Sequence, residues 1–346
     1  MASEKPAFAV VGLGRAGSFH ITSLMNMGNL VRLKYVVDVV EEVRERVAKE
    51  TGAEPRASLE EVLEDDDLRA VVVSSTTHAH YGQILLALEK GKCVFTEKPI
   101  SFDPAELKIV MTKAEKSKLP FMVGFQRRFD RNFATLRRML RAGNIGGPRI
   151  IRCSSRDNPE PPMAYLKVSG GIFHDMLCHD FDMLHFLTGE LPESVYAVGH
   201  TYNPEIAAMD DADTVVVTLR FASGLLATVD TSRISAYGYD QRVEVFGETG
   251  MLTAENEREH TVVHAGPHGY TSAVAHHSFP QRYPQAYRSE MDEFVAMVRE
   301  DRAPPAENLA RHVLLERVAS AAEVSYKMGR PITLKEFDAM RARGEV

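Results

Sequence analysis

The sequence is poor in the residues that would mark several classes of protein. It has no tryptophan and only three cysteines in 346 residues. Cys93, Cys153 and Cys178 lie far apart and none belongs to a CxxC pair, which argues against a disulfide framework and against a zinc site of the usual ligand spacing. We therefore expect reduced thiols and a cytoplasmic protein.

Long hydrophobic runs and blocks of one charge are also missing. No stretch reaches the ~20 apolar residues that a membrane-spanning helix requires, and glycines break the N-terminal apolar run, unlike the core of a signal peptide. The 41 basic and 48 acidic residues leave a net charge of −7, spread along the chain. We expect neither a nucleic-acid partner nor a membrane partner.

The length of the chain predicts two domains, because single cores stop growing at about 250–300 residues. Up to about residue 125, short β-rich runs alternate with amphipathic helical stretches, the pattern of a doubly wound parallel sheet in an α/β domain. Predicted strands here are Ala7–Gly12, Val31–Asp38, Ala70–Ser74, Cys93–Glu97 and Phe121–Gly124. This pattern predicts a first domain over residues 1–126.

After residue 127 the pattern changes. Strand-like runs follow one another with short turns between them, which indicates an α+β domain with a large open, mostly antiparallel sheet. Predicted strands here are Arg149–Ser155, Ser194–Tyr202, Thr214–Phe221, Leu225–Arg233, Gln241–Gly247 and Met251–Glu255. We predict a second domain over residues 127–346. An alternative is that its C-terminal helices pack back on the first domain.

A glycine-rich turn follows the first predicted strand. Gly12, Gly14 and Gly17 form a GxGxxG motif, in which the glycines permit a tight turn, a close approach of backbone to a pyrophosphate, and close packing of helix on strand. The helix that follows directs N–H groups and the positive end of its dipole toward phosphates. Alone, the motif is equally consistent with an ordinary turn.

Asp38 strengthens the prediction of dinucleotide binding. It ends the next strand about 20 residues after the last glycine, where a carboxylate accepts hydrogen bonds from the ribose hydroxyls. Because an acid repels a 2′-phosphate and no arginine follows immediately, the pattern favours NAD over NADP. Arg15 is either a phosphate contact or a compensating charge for Asp38, which leaves some NADP use open. The alternative is a glycine turn beside a surface aspartate.

Two later strand ends border the same predicted crevice, because ligands bind beyond the carboxyl ends of parallel strands. They carry the segments Ser74–His80 and Phe95–Ile100. Pro99 stops the strand and keeps Lys98 in an extended conformation, with its ammonium group at the crevice. A solvated ion pair of Glu97 and Lys98 at a turn is the alternative.

The segment Gly170–Leu187 is the densest in chemically active side chains. On one helix, Asp175, His179 and Asp182 would fall at i, i+4 and i+7 on one face. A carboxylate one turn from an imidazole orients it and favours its protonated form, which suits a general base. A packed structural histidine and a three-ligand metal site are the alternatives, and the absence of an HExxH-type motif argues against the metal.

These motifs together resemble the glucose–fructose oxidoreductase, inositol dehydrogenase and rhizopine-catabolism (Gfo/Idh/MocA) oxidoreductase family. The likeness runs from about Ala7 to Leu334. It is carried by the GLGRAG turn, Asp38, the Thr-Glu-Lys-Pro run that ends at Pro99, and the Gly170–Leu187 helix. The segments most similar to the inositol 2-dehydrogenase branch are Gly171–Met183, Gly124–Asp130 and Arg282–Tyr287.

The resemblance implies a Rossmann domain followed by an open mixed sheet, with assembly into a homo-oligomer, either a tetramer or a dimer. It implies NAD-dependent oxidation of a secondary hydroxyl of a cyclic polyol, foremost myo-inositol to 2-keto-myo-inositol (scyllo-inosose). The alternatives are a dehydrogenase for another polyol, an aldose or a cyclic diol, and a non-catalytic NAD-binding regulator.

The resemblance also assigns roles to residues. Lys98 is the implied catalytic lysine, His179 the proton acceptor and Asp175 the substrate-binding aspartate. Implied cofactor contacts are Gly12, Gly14, Arg15, Ala16, Gly17, Asp38, Ser75, Thr76, His80, Glu97, Lys98 and Gln126. Lys98, Asp175 and His179 are therefore expected to contact the substrate. We add Asp157, Tyr165 and Tyr283 as substrate contacts, because a polyol needs many convergent donors and acceptors. The alternative for these three is that they satisfy backbone groups at a strand end or a helix start. No metal is expected.

Two positions depart from the family pattern. Gln126 stands where the branch more often has asparagine, and residues 75–77 read Ser-Thr-Thr rather than Thr-Pro-Asn. Both positions border the expected nicotinamide or sugar. The reaction type is therefore better defined than the identity of the substrate.

Overall fold

The computed structural model describes residues 5–346. The prediction that the N-terminus is unlike a signal peptide also concerns residues 1–4, which lie outside the described residues. The chain groups into two units. The first contains the chain up to Phe129 together with Pro284–Val313, and the second contains Asp130–Tyr283 together with Leu314–Val346. The division at 126 and 127 predicted from the sequence remains our proposal for the domain limits.

The first unit is built on a six-stranded parallel sheet in the order β3-β2-β1-β4-β5-β6. Its strands are β1 (Ala7–Val11), β2 (Arg32–Val37), β3 (Glu54–Arg56), β4 (Leu68–Val73), β5 (Cys93–Thr96) and β6 (Phe121–Val123). Its helices are α1 (Arg15–Asn26), α2 (Glu41–Thr51), α3 (Glu60–Leu63), α4 (Thr77–Glu89) and α5 (Pro104–Ser117), followed by a 3₁₀ turn at Gln126–Phe129.

The second unit contains a seven-stranded mixed sheet in the order β12-β11-β7-β10-β9-β8-β15. Only β7 and β10 pair in parallel within it. Its strands are β7 (Pro148–Arg156), β8 (Pro192–His200), β9 (Thr214–Phe221), β10 (Leu226–Ser232), β11 (Asp240–Gly247), β12 (Met251–Ala254) and β15 (Ile332–Thr333), and a separate hairpin is formed by β13 (Val263–Gly266) and β14 (Gly269–Ser272).

The helices after Phe129 are divided between the two units. They are α6 (Arg131–Arg141), α7 (Met163–Leu166), α8 (Ile172–Asp175), α9 (Leu177–Thr188), α10 (Pro204–Ala207), α11 (Phe279–Arg282), α12 (Pro284–Glu300), α13 (Ala306–Met328) and α14 (Leu334–Ala342). Helix α12 groups with the first unit. No helix within residues 5–346 combines the length and the apolar character that crossing a membrane would need.

Strand β1 shows why the first sheet carries helices on both faces. Each of its five residues is at most 3% exposed. Phe8 and Val10 point into one core with α1 and α12, where Phe294 meets the ring of Phe8 edge to face, while Ala9 and Val11 point into the other core with α4 and α5. A strand that is apolar on both faces is typical of a doubly wound parallel sheet. The predicted fold class is confirmed for both halves.

The structure differs from the sequence prediction in two ways. The eleven predicted strands are present, but the short strands β3, β13, β14 and β15 were not foreseen. The single helix predicted within Gly170–Leu187 is divided at Met176 into α8 and α9. Asp175 therefore lies on a different helix from His179 and Asp182, and the prediction that the three share one helix face is wrong. Hydrogen bonds from distant residues fix α8, and helical periodicity carries no information about them.

A partly buried charge cluster joins α8 to α13. The His174 imidazole lies 2.8 Å from Glu316 through Nδ1 and 3.0 Å from Glu323 through Nε2. Burial alone would lower the pKa of His174, but the hydrogen bonds to the two carboxylates outweigh it and raise the pKa to about 10. The same hydrogen bond lowers the pKa of Glu323 to about 2. His174 is therefore a cation at neutral pH.

Replacing His174 by glutamine should make stability less dependent on pH in the alkaline range. Because the folded-state pKa is raised from 6.5 to about 10, the stabilisation by His174 is complete below pH 6.5 and is lost as the pH rises toward 10. We expect the difference in free energy of unfolding between wild type and H174Q to shrink by at most about 1.4 kcal/mol per pH unit in that window.

Urea unfolding at about pH 6, 8 and 9.5 measures this difference. His268→Gln in the exposed turn between β13 and β14 is the control and should show a difference that does not depend on pH. A difference for H174Q that stays constant, or that grows with pH, would contradict the ionised cluster.

Candidate active site

The glycine turn after β1 brings two loops of the first unit into backbone contact. Gly12 has φ +84°, and a Cβ at this position would lie 2.4 Å from the backbone of Ser75. A Cβ at Gly17 would lie 2.1 Å from the carbonyl oxygen of Gly12. The Ser74 hydroxyl donates to that same carbonyl at 2.8 Å. Gly12 and Gly17 are therefore required by the packing of the protein itself.

Gly14 has a different reason to be glycine. It is the residue before α1, and a Cβ built there meets nothing within 4 Å. As the N-cap residue of α1, Gly14 has no side chain to cap the first helical turn. The open space beside Gly14 and the N–H groups of the first helical turn fit a pyrophosphate.

Asp38 follows β2 and faces the glycine turn. Its Oδ2 accepts a hydrogen bond from the backbone of Leu13 at 2.8 Å, and its Oδ1 accepts one from the backbone of Val40 at 2.9 Å. These bonds hold the carboxylate at the end of the strand, where a ribose would present its hydroxyls. The sequence interpretation missed Arg44, whose guanidinium lies 3.4 Å from the carbonyl oxygen of Asp38. Arg44 is six residues along the chain, and only the turn into α2 brings it back.

His80 connects the next two loops. Its ring nitrogens lie 2.8 Å from the carbonyl oxygen of Pro99 and 3.0 Å from that of Ser75, and its side chain is buried. Burial lowers the pKa of His80. The Ser75 hydroxyl donates to Gln83 at 2.6 Å. The side chains of His80 and Ser75 thus hold the loops on which Thr76 and Lys98 lie.

Glu97 forms a buried pair that the sequence interpretation missed. The His20 imidazole in α1 lies 2.7 Å from Glu97 through Nε2, and His20 is fully buried. Burial by itself would raise the pKa of Glu97, but the hydrogen bond from His20 and the charge of Lys98 outweigh it, so the pKa lies below its usual value. A Cβ on Gly124 would lie 3.2 Å from the Glu97 carboxylate. The helix of the glycine motif is thereby joined to the Glu-Lys-Pro loop.

The remaining predicted residues of the first unit lie around these loops. Lys98 is half-buried and precedes a cis peptide to Pro99. Gln126 is buried in the 3₁₀ turn. Arg15 and Ala16 open α1, with Arg15 exposed.

In the second unit the structure surrounds Asp175 with hydrogen-bond donors. The Tyr165 hydroxyl donates to Asp175 Oδ1 at 2.7 Å, and Arg233 donates through Nη1 to Asp175 Oδ2 at 3.1 Å. The structure thus brings together two predicted substrate contacts, Tyr165 and Asp175. Arg233 was not predicted, because nothing in its local sequence indicates that it is buried.

The other predicted residues of the second unit are dispersed over several elements. His179 lies in the first turn of α9 and is 9% exposed. Asp157 follows β7, and its backbone N–H donates to the Ser232 carbonyl at 2.9 Å. Tyr283 is buried, with the Arg282 guanidinium 4.7 Å from its ring centre. Among residues 5–346 no group of three His, Cys, Asp or Glu side chains is arranged to hold a metal ion.

Comparison with known proteins defines the class. The family model for the oxidoreductase family with an NAD-binding Rossmann fold matches residues 7–125, and the model for the GFO/IDH/MocA C-terminal domain matches residues 133–253. The protein is thus an NAD-dependent oxidoreductase with a Rossmann domain.

Individual relatives narrow the class. The chain is 38% identical to a myo-inositol 2-dehydrogenase of Thermotoga maritima over 330 residues, 94% of this chain and 98% of that protein. It is 38% identical to an inositol 2-dehydrogenase of Rhizobium meliloti over 292 residues, 84% of this chain and 88% of that protein. The chain belongs to the Gfo/Idh/MocA oxidoreductase family.

A solved structure agrees with this assignment. The scyllo-inositol dehydrogenase from Lactobacillus casei, with bound NAD(H) and scyllo-inositol, matches with a TM-score of 0.88 at 26% identity, covering 96% of this chain and 100% of that chain. The predicted family, NAD cofactor and dehydrogenase class are confirmed, and the relatives carry the inositol dehydrogenase activity that the sequence predicts.

Gly14→Ala should weaken cofactor binding more than it destabilises the protein, since alanine is a poorer N-cap than glycine by at most about 1 kcal/mol. The new methyl group meets no protein atom within 4 Å, but it occupies the space that fits the pyrophosphate, so we expect the Kd for NADH to rise by about 10-fold or more. Titration of NADH fluorescence measures the Kd, and thermal unfolding without cofactor measures stability.

Gly82→Ala in α4 is the matched control, because a Cβ there also meets nothing within 4 Å. It should change neither quantity for the worse. An unchanged NADH affinity in G14A would show that the cofactor does not approach this turn.

Proposed function

We propose that this protein oxidises myo-inositol to 2-keto-myo-inositol with NAD⁺ as the acceptor. The observation that carries the proposal is the buried Asp175, which receives hydrogen bonds from Tyr165 and Arg233 beside the helix of His179. A fixed carboxylate of this kind suits the recognition of a substrate that offers many hydroxyl groups. Relatives named for inositol oxidation support the same substrate class.

The reaction divides among three side chains in this proposal. Bound NAD⁺ supplies the hydride acceptor. His179 accepts the proton of the reacting hydroxyl, and Lys98 stabilises the negative charge that develops on its oxygen. Asp175 accepts a hydrogen bond from a neighbouring hydroxyl and orients the imidazole. The carbinol carbon loses a hydride to NAD⁺ and its hydroxyl oxygen loses a proton to His179, so that the C–O single bond becomes the C=O bond of a ketone.

The remaining site residues keep their predicted roles as part of the proposal. Asp157, Tyr165 and Tyr283 contact the polyol. The cofactor contacts are the glycine turn with Arg15, Ala16 and Asp38, the loop residues Ser75, Thr76 and Glu97, and Gln126. His80 keeps its predicted contact with the cofactor in this proposal, and it also holds the Ser75 and Pro99 loops. The half-buried position of Lys98 supports its access to a ligand.

An assay of NADH formation tests the reaction. Purified protein is mixed with NAD⁺ or NADP⁺ and with myo-inositol, scyllo-inositol, D-chiro-inositol, aldoses or a cyclic diol. We expect NADH formation to be fastest with myo-inositol. His179→Asn should lower kcat by about 100-fold or more, while His200→Asn on β8 should leave it unchanged.

The outcomes separate the alternatives. If another polyol, an aldose or a cyclic diol is oxidised faster than myo-inositol, that compound and not myo-inositol is the preferred substrate. NADH binding without turnover of any compound would support a non-catalytic regulator. An unchanged kcat in H179N would show that another group accepts the proton.

We propose further that the protein is a homo-oligomer, a tetramer or a dimer, assembled through the open face of its second sheet. The supporting feature is a row of apolar side chains across β10, β7, β11 and β12. Leu226 pairs with Ile150, Ile150 with Phe246, and Phe246 with Met251. Leu226, Phe246 and Met251 are 50%, 43% and 54% exposed. A continuous apolar row of this kind is typical of a surface that a partner covers.

Sedimentation velocity tests this assembly. The wild type should sediment as an oligomer, and Phe246→Asp should shift it toward monomer because a carboxylate enters the apolar row. Ile109→Asp on α5, where Ile109 is 49% exposed, is the control and should leave the assembly intact. A monomeric wild type, or an F246D variant that sediments like wild type, would contradict assembly through this face.

We also propose that the protein is located in the cytoplasm. Its support is that none of the three cysteines forms a disulfide within the described part of the chain, which agrees with a reducing compartment.

A further inference from the structure

Arg233 is a fully buried cation that the proposed chemistry does not yet use. It follows β10 and is 0% exposed. Its Nη1 donates to Asp175 Oδ2 at 3.1 Å, and its Nη2 donates to Asp211 Oδ2 at 3.2 Å. Both carboxylates are themselves largely buried. One guanidinium thus bridges two carboxylates, and one of these is the aspartate assigned to the substrate.

Asp211 anchors the other end of the short helix that carries Asp175. Its Oδ1 accepts hydrogen bonds from the backbone of Ile172 and of Ala212, both at 2.9 Å. Ile172 is the first residue of α8 and Asp175 is the last. Gly171, with φ +83°, leaves room for this contact, because a Cβ there would lie 3.2 Å from Asp211 Oδ1. Asp211 therefore fixes the start of α8, and Arg233 joins Asp211 to the side chain at its end.

We propose that Arg233 is a positioning residue that keeps Asp175 ionised and fixed, so that Asp175 acts only as a hydrogen-bond acceptor toward a substrate hydroxyl. This proposal rests on the proposed function, in which Asp175 contacts the polyol. Arg233 does not touch substrate or cofactor in it. Asp211 contributes by holding the guanidinium and the start of α8 in one place.

The groups around Asp175 agree with an acceptor role. Tyr165 from α7 and Arg233 from the end of β10 both donate to its carboxylate. The Cys178 thiol from α9 donates to its backbone carbonyl at 3.3 Å. Of the two neighbouring imidazoles, His174 is engaged by Glu316 and Glu323, and His179 is the proposed proton acceptor one turn along. With both carboxylates ionised, Asp175, Asp211 and Arg233 together carry a net charge of −1, and the ammonium group of Lys327 on α13 interacts with Asp211 as a further cation.

Removal of the Arg233 guanidinium changes the charge around Asp175 and Asp211. Two buried carboxylates would then lie near each other without a shared cation, and both repulsion and burial favour protonation of one of them. A protonated Asp175 donates a hydrogen bond instead of accepting one. The substrate hydroxyl that it normally accepts from would then be misoriented, and oxidation would slow even if the fold is intact.

The direct test follows the ionisation of Asp175 without substrate. Protein labelled with ¹³C at the aspartate carboxyl carbon is titrated by NMR, and the signal of Asp175 is assigned from its loss in Asp175→Asn. In Arg233→Met we expect Asp175 to take up its proton about three pH units higher than in wild type or more, so that part of it is protonated at pH 7, with Arg233→Lys between them.

The kinetic test measures the consequence. With any polyol that the wild type oxidises, R233M should lose about 100-fold in kcat/KM near pH 7 and recover part of it at higher pH. R233K should retain more activity because it keeps the charge. The Kd for NADH should not change in either variant. Arg317→Met removes another guanidinium of the second unit, one that is paired with Asp338, and it should leave kcat/KM unchanged.

Each outcome decides the proposal. If R233M and wild type have the same Asp175 titration, or the same kcat/KM, Arg233 does not position Asp175. If R233M does not fold, the same NMR titration is done with R233K and Asp211→Asn. If Asp175 titrates in both of these variants as it does in wild type, the proposal is wrong. If the wild type oxidises no polyol, the proposed function fails, while the NMR titration still decides whether Arg233 controls Asp175.

Discussion

The parallel pairing of strands β2, β1, β4 and β5 is the constraint on which the first unit depends. Parallel hydrogen bonding makes the carboxyl ends of these strands meet along one edge of the sheet. Four segments that are distant in the sequence therefore lie side by side: the glycine turn, Asp38, the Ser75 loop and the Glu-Lys-Pro loop. The backbone contact between Gly12 and Ser75, at a distance that excludes any side chain, locks two of them together. The loops owe their positions to the sheet, and the side chains owe theirs to the loops.

In the second unit, paired charges rather than the sheet position the functional side chains. Its functional segment is not a long regular helix but a four-residue helix followed by a break. Four residues cannot form a stable helix alone, because nucleation costs more than one turn recovers. Asp211 at its start, Arg233 at its end and the ion pairs of His174 hold α8 in place. A buried charge is costly unless it is paired, so an arrangement of α8 that broke the pair of Arg233 with Asp175 and Asp211 would be strongly destabilised.

This difference explains what could be predicted from the sequence. The alternation of apolar strands and amphipathic helices is a local pattern, and it predicted the class of both sheets and eleven of the strands. The glycine motif and Asp38 have fixed spacing, so they could be recognised as a dinucleotide site. The partners of Asp175 could not. Arg233 and Asp211 lie 58 and 36 residues away in the chain, and their pairing arises only when β9 and β10 align.

The three glycines of the motif illustrate the same limit at the scale of single atoms. In the sequence they are equivalent letters, yet a Cβ at Gly12 or Gly17 would collide with the protein's own backbone, whereas a Cβ at Gly14 would meet open space. The first two are explained by folding. The third is not explained by a collision, and the preference of helix N-caps for glycine over apolar side chains is met equally by serine, threonine, asparagine or aspartate. Glycine alone leaves the space in front of the first N–H groups of α1 open, and an anion is the ligand that such a helix end favours. The glycine that the packing does not require is thus the one that suits a bound phosphate.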